Sequence, residues 1–541
     1  VQLDYNARTG AYFLRVKRTE ANVQELMQDY GLDFSVTAST SSTAVLVTHE
    51  PFAAVTFIEH GTPAAKANLS KLADEIAASW KEKSSGHFAV PADKELWSFQ
   101  SADIEYALRR RNTLIADQPG LGKTEVAIVY CNETKARRVL VICPANIRLQ
   151  WAERIRQWST MEWGYRVYPI LSGRHGVHPE AEWTIVSYDL ARTPAIGAAL
   201  AKGTYDVLIL DEVHYLKTVD SRRTRAIFGG GEDRKFGALA ERAGSILALS
   251  GTPLPNRPRE AYTVARALNF DSIDFLSEEK FKERFNPSVT RDGVRGDGTP
   301  YVYVDERTGR HAELQNRLRA NFMVRHLKRD VMPQLKLPIY DIVQLEETGP
   351  VKQALHAESL LDIDPENLEG ADAEILGHIA VVRRQMGVAL APQVASYANM
   401  LLEGGEEKLV IFGWHIEVLN ILEQHLARWG TLRIDGSTSQ AAKQRKVKEF
   451  QEDPRKQVML GNTLSLGTGT DGLQNVSAHA LLAEPDWTPG NNEQAIDRLD
   501  RGGQLRTVQA DLFVAPRSIA ERVLASALRK KQITHKALDR R

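Results

Sequence analysis

IADQPGLGKTEVAI, residues 115–128, runs from an apolar strand end through a glycine-bearing turn into a helical pattern. The turn carries Gly120, Gly122, Lys123 and Thr124, most of the G-x-x-x-x-G-K-[ST] phosphate-binding loop. A strand before and a helix after is the context such a loop needs. Backbone N–H groups at the helix start meet phosphate oxygens, Lys123 adds a point charge, and the Thr124 hydroxyl suits magnesium. Where the general pattern has its first glycine, this chain has Asp117.

Outward from the loop, short apolar runs alternate with helical patterns: NTLIAD, RVLVICP, WTIVSYD, YDVLILDE and SILALSGTP. That alternation predicts a parallel sheet buried on both faces, over residues 96–259. A second α/β block, residues 395–541, repeats the texture with KLVIFGW, TLRIDGS, QVMLGNT, HALLAEP and ADLFVA. Residues 260–345 read as a charged helical insert, interrupted over 287–311 by a hairpin or flexible segment, and 346–394 as linker helices. Residues 1–95 read as a small α+β module: GAYFLRVKR alternates like a strand and EANVQELMQDYGL has helical spacing. TAVLVTHEPFAAVTF suggests two more strands, NLSKLADEIAASWKEK a second helix, and SSGHFAVPADKE a polar linker.

The bulk numbers agree with several packed domains. At 541 residues and 43% hydrophobic, the length prior is roughly three to four domains. Apolar runs are far shorter than the ~20 residues of a membrane span, and the first residues read as no secretory signal. Cys131 and Cys143 both fall in apolar stretches, which argues against a disulfide framework and for a reducing compartment. A reducing cytosol is the simplest compartment on this count. Lys and Arg number 69 against 69 Asp and Glu, so composition gives no basic footprint for nucleic acid. The basic tail ALRKKQITHKALDRR reads equally well as a solvated helix face.

Three further motifs carry chemistry. VLILDEVHYLK places Asp211 and Glu212 at a strand tip, the first suited to magnesium and the second to polarising water. His214 follows two residues on, and ALSGTPLPNRPREAY puts Ser250 and Thr252 at another strand end. In EQAIDRLDRGGQ, Gln494, Arg498, Arg501 and Gln504 recur at three-to-four spacing, so the two arginines share a helix face. Arginines opposite a phosphate loop offset charge developing on the γ-phosphate.

In order, FQ, DQPGLGKT, DEVH, SGTPLPNRP, VRHLKRDVMPQLKLP, LRIDGSTS and EPDWTPGNNEQAIDRLDRGGQ resemble the Swi/Snf-type branch of superfamily-two helicase-like ATPases. This branch writes its loop D-E-x-G-x-G-K-T, which accounts for Asp117. SGTPLPNRPREAYT, IDGST and FGWHIEVL are most similar to the annealing-helicase (HepA-related, HARP-type) group, compact versions of which occur in bacteria and bacteriophages.

The resemblance implies an α/β fold of two RecA-like lobes, with ATP and magnesium as cofactors and double-stranded or branched DNA as partner. It implies a monomeric DNA-dependent ATPase that translocates on duplex DNA; a strand-separating DNA or RNA helicase and a nucleotide-gated DNA clamp are the rivals. Gln100 is expected to hold adenine and Asp117, Gly120, Gly122, Lys123 and Thr124 the phosphates, with Gln494 nearby. Thr124 and Asp211 would hold the metal, Glu212 the water, and Arg498 and Arg501 would serve as arginine fingers. Pro144, Asn146, Gln150, Ser187 and Tyr188 are expected on the DNA backbone from the first lobe, and Gly436, Ser437 and Thr463 from the second. His214, Ser250 and Thr252 would couple the two activities. Three departures stand out: Gln118 for the usual acidic residue, DEVH for DEAH, and Asp471 within SLGTGTDGLQ, where the family writes A-G-G-x-G-L-N. The accessory module would present Arg15, Lys17 and Arg18 to phosphates, or would only buttress the first lobe.

Overall fold

The structure is a computed structural model that describes residues 1–17, 23, 26–27, 35–39, 42–160, 166–229, 238–254, 257–294, 300–306, 309–332, 334–336, 338–360, 373–467, 471–486, 489–522 and 524. Arg18, most of the first expected helix and the basic tail lie outside the described residues.

The N-terminal part carries strands β1 (Gln2–Asn6), β2 (Ala11–Lys17), β3 (Ser35–Ser39) and β4 (Thr43–Thr48), an antiparallel sheet of order β1-β2-β4-β3. In β2 the alternation turns Leu14 and Val16 into the core and leaves Arg15 and Lys17 exposed. The stretch after β4 corrects the sequence reading. It holds a helical turn, Pro51–Ala54, and a 3-10 helix, Val55–His60, in place of a further strand. Pro51 lacks a ladder donor but fits a helix start, and the Glu50 carboxylate caps that start by accepting from the Phe52 N–H at 3.1 Å. The helix Pro63–Ser79 completes the module.

Next come β5 (Asn112–Ile115), β6 (Val139–Cys143), β7 (Val167–Pro169), β8 (Trp183–Ser187), β9 (Tyr205–Asp211) and β10 (Ala243–Leu249). The described part of the 287–311 segment is an antiparallel hairpin of β11 (Ser288–Val294) and β12 (Pro300–Glu306). β13 (Met323–Val324) then joins the first sheet, whose parallel order is β13-β5-β10-β9-β6-β8-β7. The second sheet is also parallel. It comprises β14 (Ile339–Gln344), β15 (Leu409–Gly413), β16 (Leu432–Ile434), β17 (Val458–Asn462), β18 (His479–Leu482) and β19 (Gln509–Val514), ordered β14-β19-β18-β15-β17-β16.

Both sheets are apolar on both faces, as the runs predict. Along β6, Leu140 and Ile142 enter one core, while Val139, Val141 and Cys143 enter the other. Along β15, Val410 and Phe412 separate from Leu409 and Ile411 in the same way. The stretch read as a helical insert is not helical throughout: it supplies an edge strand to each sheet, β13 to the first and β14 to the second.

The N-terminal module is docked through buried polar contacts on the helix His311–Asn321. Arg317 Nη2 donates to Glu50 Oε2 at 2.6 Å, Asn316 Nδ2 donates to the Phe52 carbonyl at 2.8 Å, and Arg319 Nη1 donates to the Ser79 carbonyl at 3.2 Å. Arg319 also lies over the Trp80 ring, 3.2 Å from its centroid.

Candidate functional site

The loop after β5 turns into the helix Lys123–Glu133 through two left-handed glycines, Gly120 at φ 86° and Gly122 at φ 78°. A Cβ at Gly122 would stand 2.3 Å from Gln100 Nε2, and one at Gly120 would stand 3.0 Å from Arg501 Cβ. The second glycine therefore admits a brace from behind, and the first admits the opposite lobe. Lys123 Nζ donates to the loop carbonyls of Asp117 and Gln118 at 2.7 and 3.3 Å. Burial holds the Lys123 ammonium below its ordinary value, although Glu212, Asp117 and Asp211 oppose it.

Two residues expected at the nucleotide sit behind the loop. Gln100 is 5% exposed; its Nε2 donates to the Leu121 carbonyl at 3.0 Å and its Oε1 accepts from the Trp97 N–H at 2.9 Å. Asp117 is fully buried, and its Oδ1 accepts from the His326 N–H at 2.7 Å and lies 3.2 Å from His326 Nδ1. Asp103 completes the group, 3.1 Å from the same nitrogen, while His326 Nε2 donates to the Lys81 carbonyl at 3.2 Å. Burial, and then Asp117, raises Asp103 well above the carboxylate range. His326 is raised by the two carboxylates against its burial. Asp117 is held below its ordinary value, because His326 outweighs burial. The aspartate in the first-glycine position thus anchors the loop through its side chain. Its location is explained by an ion pair that the single sequence could not display.

At the tip of β9, Asp211 and Glu212 enter the same cleft as Lys123 and Thr124. Asp211 Oδ2 accepts from Trp151 Nε1 at 2.7 Å, and its Oδ1 accepts from the Glu212 N–H at 2.9 Å. Burial, then the adjacent Glu212, pushes Asp211 up to about 7. Burial acts on Glu212 too, but His214, Lys123 and Arg498 outweigh it and hold that carboxylate below its usual range. Glu212 has φ 53°, a left-handed backbone for a residue with a Cβ, found at the site itself. His214 Nδ1 lies 3.2 Å from Glu212 Oε2 and 3.1 Å from Ser250 Oγ, and Ser250 Oγ accepts from the Thr252 N–H at 3.2 Å. The three residues expected to couple are therefore in one chain of contacts ending on Glu212. Trp151 was missed; it lies in the helix Arg148–Trp158, where an apolar residue on an amphipathic face reads as core.

From the second lobe, Arg498 and Arg501 line this cavity, opposite the loop. Burial, then Arg501, lowers Arg498 to about 10. Arg501 Nη1 donates to Asp471 Oδ1 at 2.8 Å, and Arg154 of the first lobe donates to Asp471 Oδ2 at 2.7 Å. Asp471, the departure from the family pattern, thus holds a basic group from each lobe. Gln494 does not line the cavity.

The residues expected on DNA divide. Pro144 and Gln150 line the nucleotide cleft. Ser187, Tyr188 and Thr463 are each at most 3% exposed, with their side chains hydrogen-bonded to backbone. Ser187 Oγ accepts from the Leu190 N–H at 3.3 Å, Tyr188 OH donates to the Asp211 carbonyl at 2.7 Å, and Thr463 Oγ1 donates to the Gly413 carbonyl at 3.2 Å. A polar side chain at a strand end satisfies local backbone as readily as it faces solvent. Asn146 is half-buried, and Gly436 and Ser437 are exposed.

A phosphate loop faced across a cleft by strand-end carboxylates and by arginines of a second parallel-sheet lobe defines a two-lobed nucleotide-binding protein. The chain belongs to the SNF2-related family: the SNF2-related domain matches residues 27–354, and the helicase conserved C-terminal domain matches residues 393–503. It is similar to the DNA annealing helicase and endonuclease ZRANB3 of Bos taurus, 28% identical over 458 residues, 83% of this chain and 41% of that protein. It is also similar to the SWI/SNF-related matrix-associated actin-dependent regulator of chromatin subfamily A-like protein 1 of Xenopus tropicalis, 30% identical over 433 residues, 78% of this chain and 42% of the relative. The chain thus spans about two fifths of the length of the curated relatives it matches. The Sulfolobus solfataricus SWI2/SNF2 ATPase core in complex with dsDNA covers 82% of this chain and 97% of its own at 15% identity. Its TM-score of 0.36 is too low to bear on the lobe arrangement. Among the described residues, no helix is long and apolar enough to cross a membrane.

Proposed function

We propose that the protein is a DNA-dependent ATPase that translocates on double-stranded DNA and remodels branched DNA without extensive unwinding. The observation that carries the reading is the shared cleft: Lys123 and Glu212 of one lobe, Arg498 and Arg501 of the other. Lys123 holds the phosphates, Glu212 polarises the attacking water, and the arginines offset charge as the γ-phosphate leaves. Thr124 and Asp211 offer hard oxygen donors on the wall beside them, fit a magnesium ion, and with it would neutralise phosphate charge. His214 transmits shifts of the 250–252 turn to Glu212. The name of the relative ZRANB3, a DNA annealing helicase, supports annealing as the use to which hydrolysis is put.

Duplex DNA would be held mainly through phosphates, with Gly436 and Ser437 on the second lobe and Arg15 and Lys17 on the outer face of β2 available to it. The test is ATP turnover with duplex, single-stranded, forked and RNA effectors, with Glu212→Gln as control. Stimulation by duplex and forked DNA, and a control that binds ATP without hydrolysing it, are expected. Stimulation by RNA alone, or normal turnover by Glu212→Gln, would overturn the reading.

A further inference from the structure

We propose that Lys328 is a positioning residue that ties the turn carrying Arg498 and Arg501 to the phosphate-binding loop. The inference rests on reading the cleft as the site of ATP hydrolysis, and it adds a residue that acts through others.

Lys328 follows β13, the edge strand beside β5, and so stands next to the loop that leaves β5. Three hydrogen bonds stitch its segment to that loop. The Lys328 N–H donates to Gln118 Oε1 at 2.7 Å, the Gln118 N–H donates to the His326 carbonyl at 3.1 Å, and the His326 N–H donates to Asp117 Oδ1 at 2.7 Å. Gln118, a departure from the family loop, thereby gains a defined partner.

The side chain reaches the other way, into the second lobe. Lys328 Nζ donates to Asp500 Oδ2 at 2.8 Å and also contacts the Asp500 carbonyl and the Asp497 carboxylate. An ammonium has three donors, and all three find acceptors here. Lys328 is 4% exposed and Asp500 3%, so these charges act with little water between them.

Asp497 and Asp500 immediately precede Arg498 and Arg501. Fixing the two aspartates fixes the turn on which the arginines stand. The turn rests directly on the loop, since a Cβ at Gly120 would stand 3.6 Å from the Asp500 carbonyl and 3.0 Å from Arg501 Cβ. One residue therefore holds the loop's Gln118 side chain through its backbone N–H at one end and the arginine turn through its ammonium at the other. Without the ammonium, two crowded carboxylates would face each other uncompensated, and the turn would lift from the loop. The hold of Lys123 on phosphates would remain.

The experiment compares full-length Lys328→Met, Lys328→Arg and Arg498→Ala with the unchanged protein. Turnover is measured in saturating duplex DNA, and affinity with a fluorescent ATP analogue. Lys328→Met is expected to lower kcat on the order of a hundredfold, as misplacement of reacting groups does, with nucleotide affinity nearly unchanged. Lys328→Arg should recover much of the rate. Unchanged kcat in Lys328→Met beside a slow Arg498→Ala would overturn the positioning role and leave the site reading intact. Normal turnover by Arg498→Ala would overturn the site reading itself. If Lys328→Met fails to fold, the Asp497→Asn, Asp500→Asn double variant takes its place: lost kcat with retained affinity supports the tie, and full kcat removes it. Parallel losses of kcat and affinity, following the folded fraction, would mean a purely structural lysine.

Discussion

Asp211 is held at three points: by the Trp151 indole, by the Glu212 N–H, and through its carbonyl by the Tyr188 hydroxyl. Its carboxylate is thus oriented before any ligand arrives. Trp151→Phe keeps most of the buried ring and removes the N–H. It is expected to lower kcat roughly tenfold or more, in line with the loss of groups that orient a metal-binding carboxylate, while the protein melts close to its original temperature. Unchanged kcat at saturating magnesium would count against the indole. The types and spacing of Lys123, Thr124, Asp211, Glu212, Arg498 and Arg501 were legible because motif order constrains them. Trp151, Asp103 and His326 were not, because their roles are contacts between distant segments. The burial of Ser187, Tyr188 and Thr463 was not legible either: their side chains bond to backbone, of the next turn for Ser187 and of other strands for Tyr188 and Thr463, which a strand-end position does not reveal.

At the scale of elements, most strands of both parallel sheets were legible from apolar runs, and the misses have separate causes. β13 has two residues and β7 three, too short for any period to show. Residues 51–60 are apolar enough for strands, yet Pro51 and the Glu50 cap commit them to helix. Glu50 has a second task, pairing with Arg317, which is only 2% exposed in its side chain. Glu50→Ala should destabilise the protein by about 3 kcal/mol, the low end for breaking a buried pair because Glu313 still faces Arg317. Urea unfolding measures this; an unchanged midpoint would mean the module is only loosely applied to the first lobe. In the second sheet, His479 Nε2 lies 2.8 Å from Asp511 Oδ2, and Glu406 lies 3.4 Å from Nδ1. Burial opposes the charged ring, but these partners hold it up at about 9. A raised pKa contributes stability that is complete below the unfolded value of ~6.5 and is lost as pH rises through 9. The urea midpoint should therefore fall between pH 7 and pH 9.5 more steeply than in His479→Gln. Equal slopes would remove His479 from that dependence.

Across the whole molecule, the contacts between the lobes include the loop, Asp471 and Lys328, all beside the nucleotide cleft, and a Gln444–Glu153 hydrogen bond at 3.1 Å. The plan of two parallel-sheet lobes was readable from one phosphate loop and the alternation around it. How the lobes meet was not, since Arg154, Asp471, Lys328 and Asp500 are ordinary surface types in sequence and become informative only when paired. The N-terminal module, read from sequence as an accessory or as a buttress of the first lobe, is joined to that lobe by buried charge. All of this converges on one claim, that hydrolysis requires arginines brought by the second lobe to phosphates held by the first. The direct measurement is ATP turnover of Arg498→Ala and Arg501→Ala in saturating duplex DNA, beside nucleotide affinity without DNA. Turnover should fall by on the order of a hundredfold or more, with affinity much less changed. Normal turnover by both variants would contradict it.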